Sequence, residues 1–285
     1  MVSGGAKSPL CAFADWFPSL VAAELEQART LAHQSRETSW TDRMLLELKK
    51  LRDPRIIVQN SNERVTGADM DWHFVRHDGR RHLHLAVQAK ILHYTAARAP
   101  HRYGELAYPD RSGRQSRQLT NYARRQLQAG FNTFPLYLFY NTSSVVSGVW
   151  GCSPGVTLGS AYRFRHHLDC ARRGASDGRV PLQAIEFDTV RPLMFCLHRI
   201  FCQPSRLIPG PDEVARALAA MEAMIGRRTV YGPRPPLPAA GDRVPTDIWP
   251  IGRVMRDGFG DSQFLENPDF GRPERPRVVF LGGAD

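Results

Sequence analysis

The sequence has no run of about 18 apolar residues, the length a helix needs to cross a bilayer, and its first residues lack a charged stretch followed by an apolar one. Neither a membrane span nor a secretory signal is expected, so the chain is assigned to the cytoplasm. Cysteine is scarce. Cys11, Cys152, Cys170, Cys196 and Cys202 are odd in number and scattered, without the short paired spacing of a zinc site or a disulfide framework, and are read as reduced, mostly buried thiols. Acidic residues are in deficit, 28 Asp and Glu against 38 Lys and Arg in 285 residues, for a formal charge of +10. That balance suits a polyanionic partner, nucleic acid first among them, although charge alone decides nothing.

What the sequence does contain is periodicity. Phe17, Leu20, Val21, Leu25, Ala28 and Leu31 recur at helical spacing between Asp15 and His33, and Met44, Leu45, Leu48 and Leu51 repeat it from Thr41, so two helices open the chain. The apolar run Ile56-Ile57-Val58 follows. Met70 to Val75 reads as a strand, Asp78-Gly79 as a hairpin turn, and His82 to Lys90 as a second strand, alternating at first and then nearly continuously apolar up to Gln88. After a loop from Arg98 to Gly113, a helix is expected from Gln115 to Gln128 and a buried strand from Phe134 to Tyr140. This order is that of a mixed central sheet flanked by helices, an α/β or α+β fold.

The second half is less legible. It suggests a strand at Leu182 to Phe187, an apolar helix at Arg191 to Phe201 and a helix from Pro211 to Arg227, then a Pro- and Gly-rich stretch and a final edge strand at Arg277 to Leu281. The expected organisation is an N-terminal helix (1–35), a core (36–190), a helical extension (191–230) and a Pro/Gly-rich arm (231–285).

Residues two apart on a strand point the same way, so Gln88 and Lys90 share a face, as do Asp69 and Asp71 if the extended chain begins by Asp69. If the hairpin brings those faces together, oxygen ligands and an ammonium group converge. The Asp69 carboxylate, the Gln88 side-chain carbonyl and the Ala89 backbone carbonyl are a donor set for a hard divalent cation such as Mg2+. Such an ion can activate water and stabilise charge on a phosphate, with Lys90 assisting.

Gly67-Ala68-Asp69, the aromatic strand Asp71-Trp72-His73-Phe74, and Val87-Gln88-Ala89-Lys90 together resemble the PD-(D/E)XK nuclease superfamily, in particular an uncharacterised bacterial subset with a Gly-Ala-Asp…Gln-Ala-Lys pattern, in which Gln replaces the usual second acid. The resemblance covers roughly residues 36–142. It implies a restriction-endonuclease-like sheet, here with a C-terminal extension, and a Mg2+- or Mn2+-dependent endo- or exonuclease acting on DNA, with a role in bacterial defence and a homo-oligomer or a defence-system partner. It also implies a helix acid. Glu37, at a helix start, is the best placed, with Glu47 and Glu63 the other candidates; the catalytic set is then Asp69, Gln88, Lys90 and Glu37, and the metal ligands are Asp69, Gln88 and Glu37. Gln118 and Tyr122 approach the site in related nucleases. Because Gln88 carries no charge, a nuclease-fold subunit that binds nucleic acid without turnover is the alternative.

Arg114, Arg117, Arg124 and Arg125 cluster on the helix after the Gln-Ala-Lys strand and are assigned to phosphate contacts; a solvated helix face reads equally well. His82 and His84 alternate on one strand with His73 and His77 nearby. A zinc site can be imagined there, but two such histidines more often face solvent or a polar cleft, and no Cys or fourth ligand lies at metal spacing.

Overall fold

His82 to Ile91 form the longest strand, buried at every position, and the rest of the molecule is arranged around it. The computed structural model describes residues 8–53, 55–59, 69–75, 82–93, 101–107, 114–146, 155–202, 217 and 277–281. In chain order the elements are α1 (Pro9–Thr30), α2 (Glu37–Lys50), β1 (Ile56–Gln59), β2 (Met70–Val75), β3 (His82–Ile91), a 3-10 turn (Gly104–Ala107), α3 (Arg114–Gln128), β4 (Thr133–Tyr140), α4 (Ser143–Val146), β5 (Val156–Ser160), α5 (Ala161–Gly174), α6 (Phe187–Val190), β6 (Met194–Cys196), α7 (His198–Phe201) and β7 (Arg277–Leu281).

The strands make one seven-stranded mixed sheet in the order β1-β7-β2-β3-β4-β5-β6. β2 and β3 pair antiparallel, as the hairpin reading requires, and β3 and β4 pair parallel across the α3 crossover. The odd-numbered residues of β3, Leu83 to Ile91, pack with α1 and α2 through Phe13, Phe17, Trp40 and Met44. On the opposite face Ala86, Tyr137 and Phe139 pack with Leu119 of α3 and Phe164 and Leu168 of α5. The fold is therefore mixed α+β with helices on both faces of the sheet, and α1 shares its core with α2.

Local chemistry sets the helix positions. Ser8 caps α1 by accepting from the Cys11 N–H at 3.2 Å, and Pro9 occupies the first turn, where a missing N–H costs nothing. Pro18 lies inside α1, and its carbonyl meets Gly155 so closely that a Cβ there would lie 1.8 Å from the oxygen. Only glycine fits.

Four expectations change. Leu182 to Phe187 is a 3-10 turn running into α6, with Ala184 N–H donating to Pro181 O at 3.0 Å, because Pro181 presets the turn and its bonds stay local. Within Arg191 to Phe201 the helix gives way to β6, where Met194, Phe195 and Cys196 are all buried against β5; Pro192 and its effect on the preceding residue break helical continuity. The cysteines are not all thiols: Cys11 is disulfide-bonded to Cys202, since α1 and α7 meet on one sheet face, and Cys196 is also oxidised, while Cys170 is free. Finally, β7 is not an edge strand. It lies between β1 and β2, antiparallel to the first and parallel to the second, with Val278, Val279 and Phe280 buried, the continuous apolar run of an interior strand. The hairpin turn Asp78-Gly79, the Pro/Gly-rich stretch and, apart from the helical and buried Ala217, the expected helix at 211–227 lie outside the described residues, and among those described no helix is long and apolar enough to cross a membrane.

Phe280 stacks on Phe74 at 4.6 Å and meets Trp72 and Phe201 edge-on or tilted. Phe280→Ala is expected to cost about 3–5 kcal/mol in denaturant unfolding, the value for an aromatic ring lost from a packed interior. A loss below about 1 kcal/mol would place β7 at an edge after all.

Candidate functional site

The β2–β3 register is what gathers the site. Met70 lies opposite Val87, so Asp69, one residue earlier, falls opposite Gln88. The ladder continues through it: Asp69 N–H donates to Val87 O at 2.8 Å, and its Oδ2 accepts from Ala89 N–H at 2.7 Å. Asp69 and the Gln88-Ala89-Lys90 segment are thus joined directly.

Glu37 arrives from the other side of the sheet. As the first residue of α2 it sits at the positive end of the helix dipole, and its Oε1 accepts the Ile91 N–H at 2.9 Å while Oε2 lies 3.5 Å from Lys90 Nζ. Lys90 is 2 % exposed, and a buried ammonium needs partners. Its second is Glu105, whose Oε2 lies 3.2 Å from Nζ. Glu105 stands on the 3-10 turn, which Tyr103 anchors by packing on Phe139 at 4.7 Å and donating its hydroxyl to Asn141. A bridge between His93 and Arg102, with Arg102 paired to Glu186 at 3.0 Å, ties this segment to the end of β3.

The two glutamates titrate as a pair. Burial raises Glu37 to about 7; Lys90 opposes the rise, Glu105 and Asp69 add to it, and the Ile91 amide reduces it. For Glu105, only partly buried, desolvation is outweighed by Lys90 and by a hydrogen bond to Glu37, and its carboxyl lies below the usual value. A shared proton therefore resides on Glu37 rather than on Glu105.

Gln88 is 1 % exposed, and neither its amide nitrogen nor its carbonyl oxygen has a hydrogen-bond partner among the described residues. Leaving a buried amide unsatisfied costs about 1–3 kcal/mol, so the position is better matched to something that fills it.

The remaining candidates separate. Glu47 is paired within its own helix to Arg43 at 2.8 Å and Lys50 at 2.9 Å, and lies roughly 15 Å along α2 from Glu37 at 1.5 Å per residue. Glu63 and the side chain of Arg114 lie outside the described residues; Arg117, Arg124 and Arg125 are exposed on α3, as is Gln118. Tyr122 approaches a different group, its ring centroid 6.0 Å from that of His84. The reading of the sequence missed Glu105, which it assigned to a loop. The available signal was Tyr103 and Leu106, apolar residues three apart that bury one side of a single turn.

His73, His82 and His84, expected to face solvent or a polar cleft, are all buried on this same sheet face. His84 Nε2 lies 2.6 Å from Asp71 Oδ1 and its Nδ1 3.1 Å from Thr133 Oγ1; His73 Nδ1 lies 2.9 Å from His82 Nε2. Burial, aided by His84 and Arg277, pushes His82 down to about 3, so its ring is neutral.

The raised Glu37 value has a thermodynamic consequence. Its contribution to stability is fully present below the unfolded value of 4.5 and is lost as pH rises through about 7. In chelator, stability relative to Glu37→Gln is expected to fall between about pH 5 and about pH 8, measured by denaturant titration at each pH. A difference that stays flat or rises would contradict the assignment.

No curated protein and no solved structure matches the chain. A family model does, over residues 10–281, and the chain therefore belongs to a family of unknown function, DUF6615.

Proposed function

We propose that the protein is a metal-dependent nuclease that hydrolyses phosphodiester bonds in DNA, with a restriction-endonuclease-like core. The observation that carries this reading is the convergence of Asp69, Glu37 and Lys90 at one end of β3, where the strand amides on either side of Lys90, those of Ala89 and Ile91, hold the two carboxylates. Supporting it are the basic net charge and the exposed arginines of α3.

The donor set fits Mg2+ or Mn2+. Three carboxylates and a buried, unpartnered amide carbonyl offer hard oxygens, and Glu105 supplies the negative charge that Gln88 lacks. Asp69, Glu37 and Gln88 Oε1 would hold the ion, with Glu105 beside them. When bound, such an ion lowers the pKa of a coordinated water and offsets charge on the scissile phosphate.

The chain's own residues do the rest. Lys90 would donate to a phosphate oxygen or orient the attacking water. Glu37 loses its proton to become a ligand, so ion binding and proton release are linked. Arg117, Arg124 and Arg125 hold flanking phosphates as point charges, giving affinity without sequence preference.

Plasmid, linear DNA and RNA incubated with the full chain in Mg2+, Mn2+ or EDTA test this directly. Metal-dependent cleavage of DNA is expected, falling at least about 100-fold in Asp69→Ala and Lys90→Ala, the scale for loss of a group acting on the transition state. Intact substrate under every metal, with salt-sensitive binding retained, would instead identify a binding subunit that keeps the fold without turnover, the reading a neutral Gln88 favours. At subsaturating Mg2+ the cleavage rate is expected to rise with pH up to about 7, by roughly tenfold per unit for a one-proton exchange, and then level off. Glu37→Gln is expected to lose that rise along with activity.

A further inference from the structure

Four residues of the polar sheet face are left without a role by the nuclease reading: Asp71, His73, His82 and His84. They sit farther back along the strands, His84 four residues before Gln88 and so about 13 Å away at roughly 3.3 Å per residue. Asp71, His73 and His84 are 6, 4 and 4 % exposed, and each offers one ligand atom within 4.8 Å of the others. Two histidines and a carboxylate are the donors of a borderline transition ion rather than of Mg2+.

The outer contacts match as well. A metal-bound imidazole usually gives its other N–H to a fixed acceptor, which sets the tautomer and aims the lone pair. His84 has such a partner in Thr133 Oγ1 at its Nδ1, leaving Nε2 directed at Asp71 Oδ1. His73 has one in His82 Nε2 at its own Nδ1, leaving Nε2 as the ligating atom, and the His73 and His84 rings stack at 4.4 Å with planes 11° apart, so the two rings are aligned. His82, buried and 2.9 Å from His73 Nδ1, serves as the acceptor behind the ligand. An ion with bonds of about 2.0–2.1 Å in tetrahedral geometry sets its ligand atoms about 3.3 Å apart, so Asp71 and His84 part by about 0.7 Å from their 2.6 Å contact to admit it.

We propose that Asp71, His73 and His84 form a buried binding site for a divalent transition metal, Zn2+ foremost, with His82 and Thr133 as orienting partners. Three protein ligands leave the fourth position of a tetrahedral ion to water. The site lies on the buried polar face over β2, β3 and β4, and its binding energy adds to folding. The proposal does not depend on nuclease activity. The other group of donors among the described residues, Cys11, His198 and Cys202, has its two sulfurs joined in a disulfide and offers no thiolate.

The test uses the full chain, stripped with chelator and reloaded with Zn2+ or Co2+. Retained metal is measured by mass spectrometry after dialysis, affinity by competition with a chromophoric chelator, and the ligands by X-ray absorption of the zinc form. One equivalent of Zn2+ per chain with imidazole scattering is expected, and visible absorption bands with Co2+. His73→Asn and His84→Asn are expected to weaken binding at least about 100-fold, and Thr133→Val, which removes only an orienting contact, by about 10-fold. Asp69→Asn is expected to keep its zinc, which separates this centre from the proposed nuclease site. If a histidine variant does not fold, the absorption spectrum of the unaltered chain still reads the ligands. A chain that retains no metal, a spectrum without imidazole, or zinc binding unchanged in His73→Asn overturns the proposal.

Discussion

A lysine ammonium buried in the central strand is the constraint around which this molecule is organised. Taking an unpaired charge of that size out of water costs several kcal/mol, so Lys90 dictates what must surround it. Glu37 comes from one side, carried on the first turn of α2, and Glu105 from a 3-10 turn that exists to be anchored by Tyr103. Neither element is near β3 in sequence. The ion pairs therefore hold α2 and the turn over the same strand end, and burial there raises the Glu37 pKa to about 7 against the opposing pull of Lys90.

β3 does two jobs because a strand has two faces. Its odd residues are leucine, valine, alanine and isoleucine and bury themselves under α1 and α2. Its even residues run His82, His84, Ala86, Gln88 and Lys90, a polar track in a fully buried strand, broken once by a small side chain. Polar side chains in such a position are stable only when each finds a partner. β2 meets that demand in register for the histidines, His73 reaching His82 and Asp71 reaching His84, while Glu37 and Glu105 meet it for Lys90 and Gln88 has no partner among the described residues. A slip of one residue would turn every one of these groups into the apolar core.

The first half of the chain could be read from its residues because its signals are local: helical spacing in α2 and α3, a run of apolar residues in β4, and alternation in β3 that put Gln88 and Lys90 on one face. Asp69 and Lys90 were legible together for that reason, whereas a helix acid, with Glu37 the best placed, was expected only from the resemblance to a nuclease superfamily. The second half could not be read so directly. β5 contains Gly159 and Ser160 and has little strand character of its own, α5 buries only Ala161, Phe164 and Leu168, and the Met-Phe-Cys run of β6 lies between proline and a short helix. These elements are fixed by the sheet they join rather than by their own propensity. Glu105 escaped notice because a single turn has no period, and the histidine cluster because cross-strand register is invisible until the pairing is known.

The placement of β7 bears on when the fold can exist. Among the described strands, β1 is held only through β7, and β2 has β7 along one whole side. Until residues near 281 have been synthesised, β2 presents an unpaired edge at the strand that carries Asp71 and His73, and β1 has no strand beside it. Closing contacts over roughly 200 residues is a slow step compared with forming the β2–β3 hairpin. A nascent chain thus carries the ingredients of its candidate centre long before it carries their support, and assembly is deferred to the moment when the last strand slides into the gap left for it.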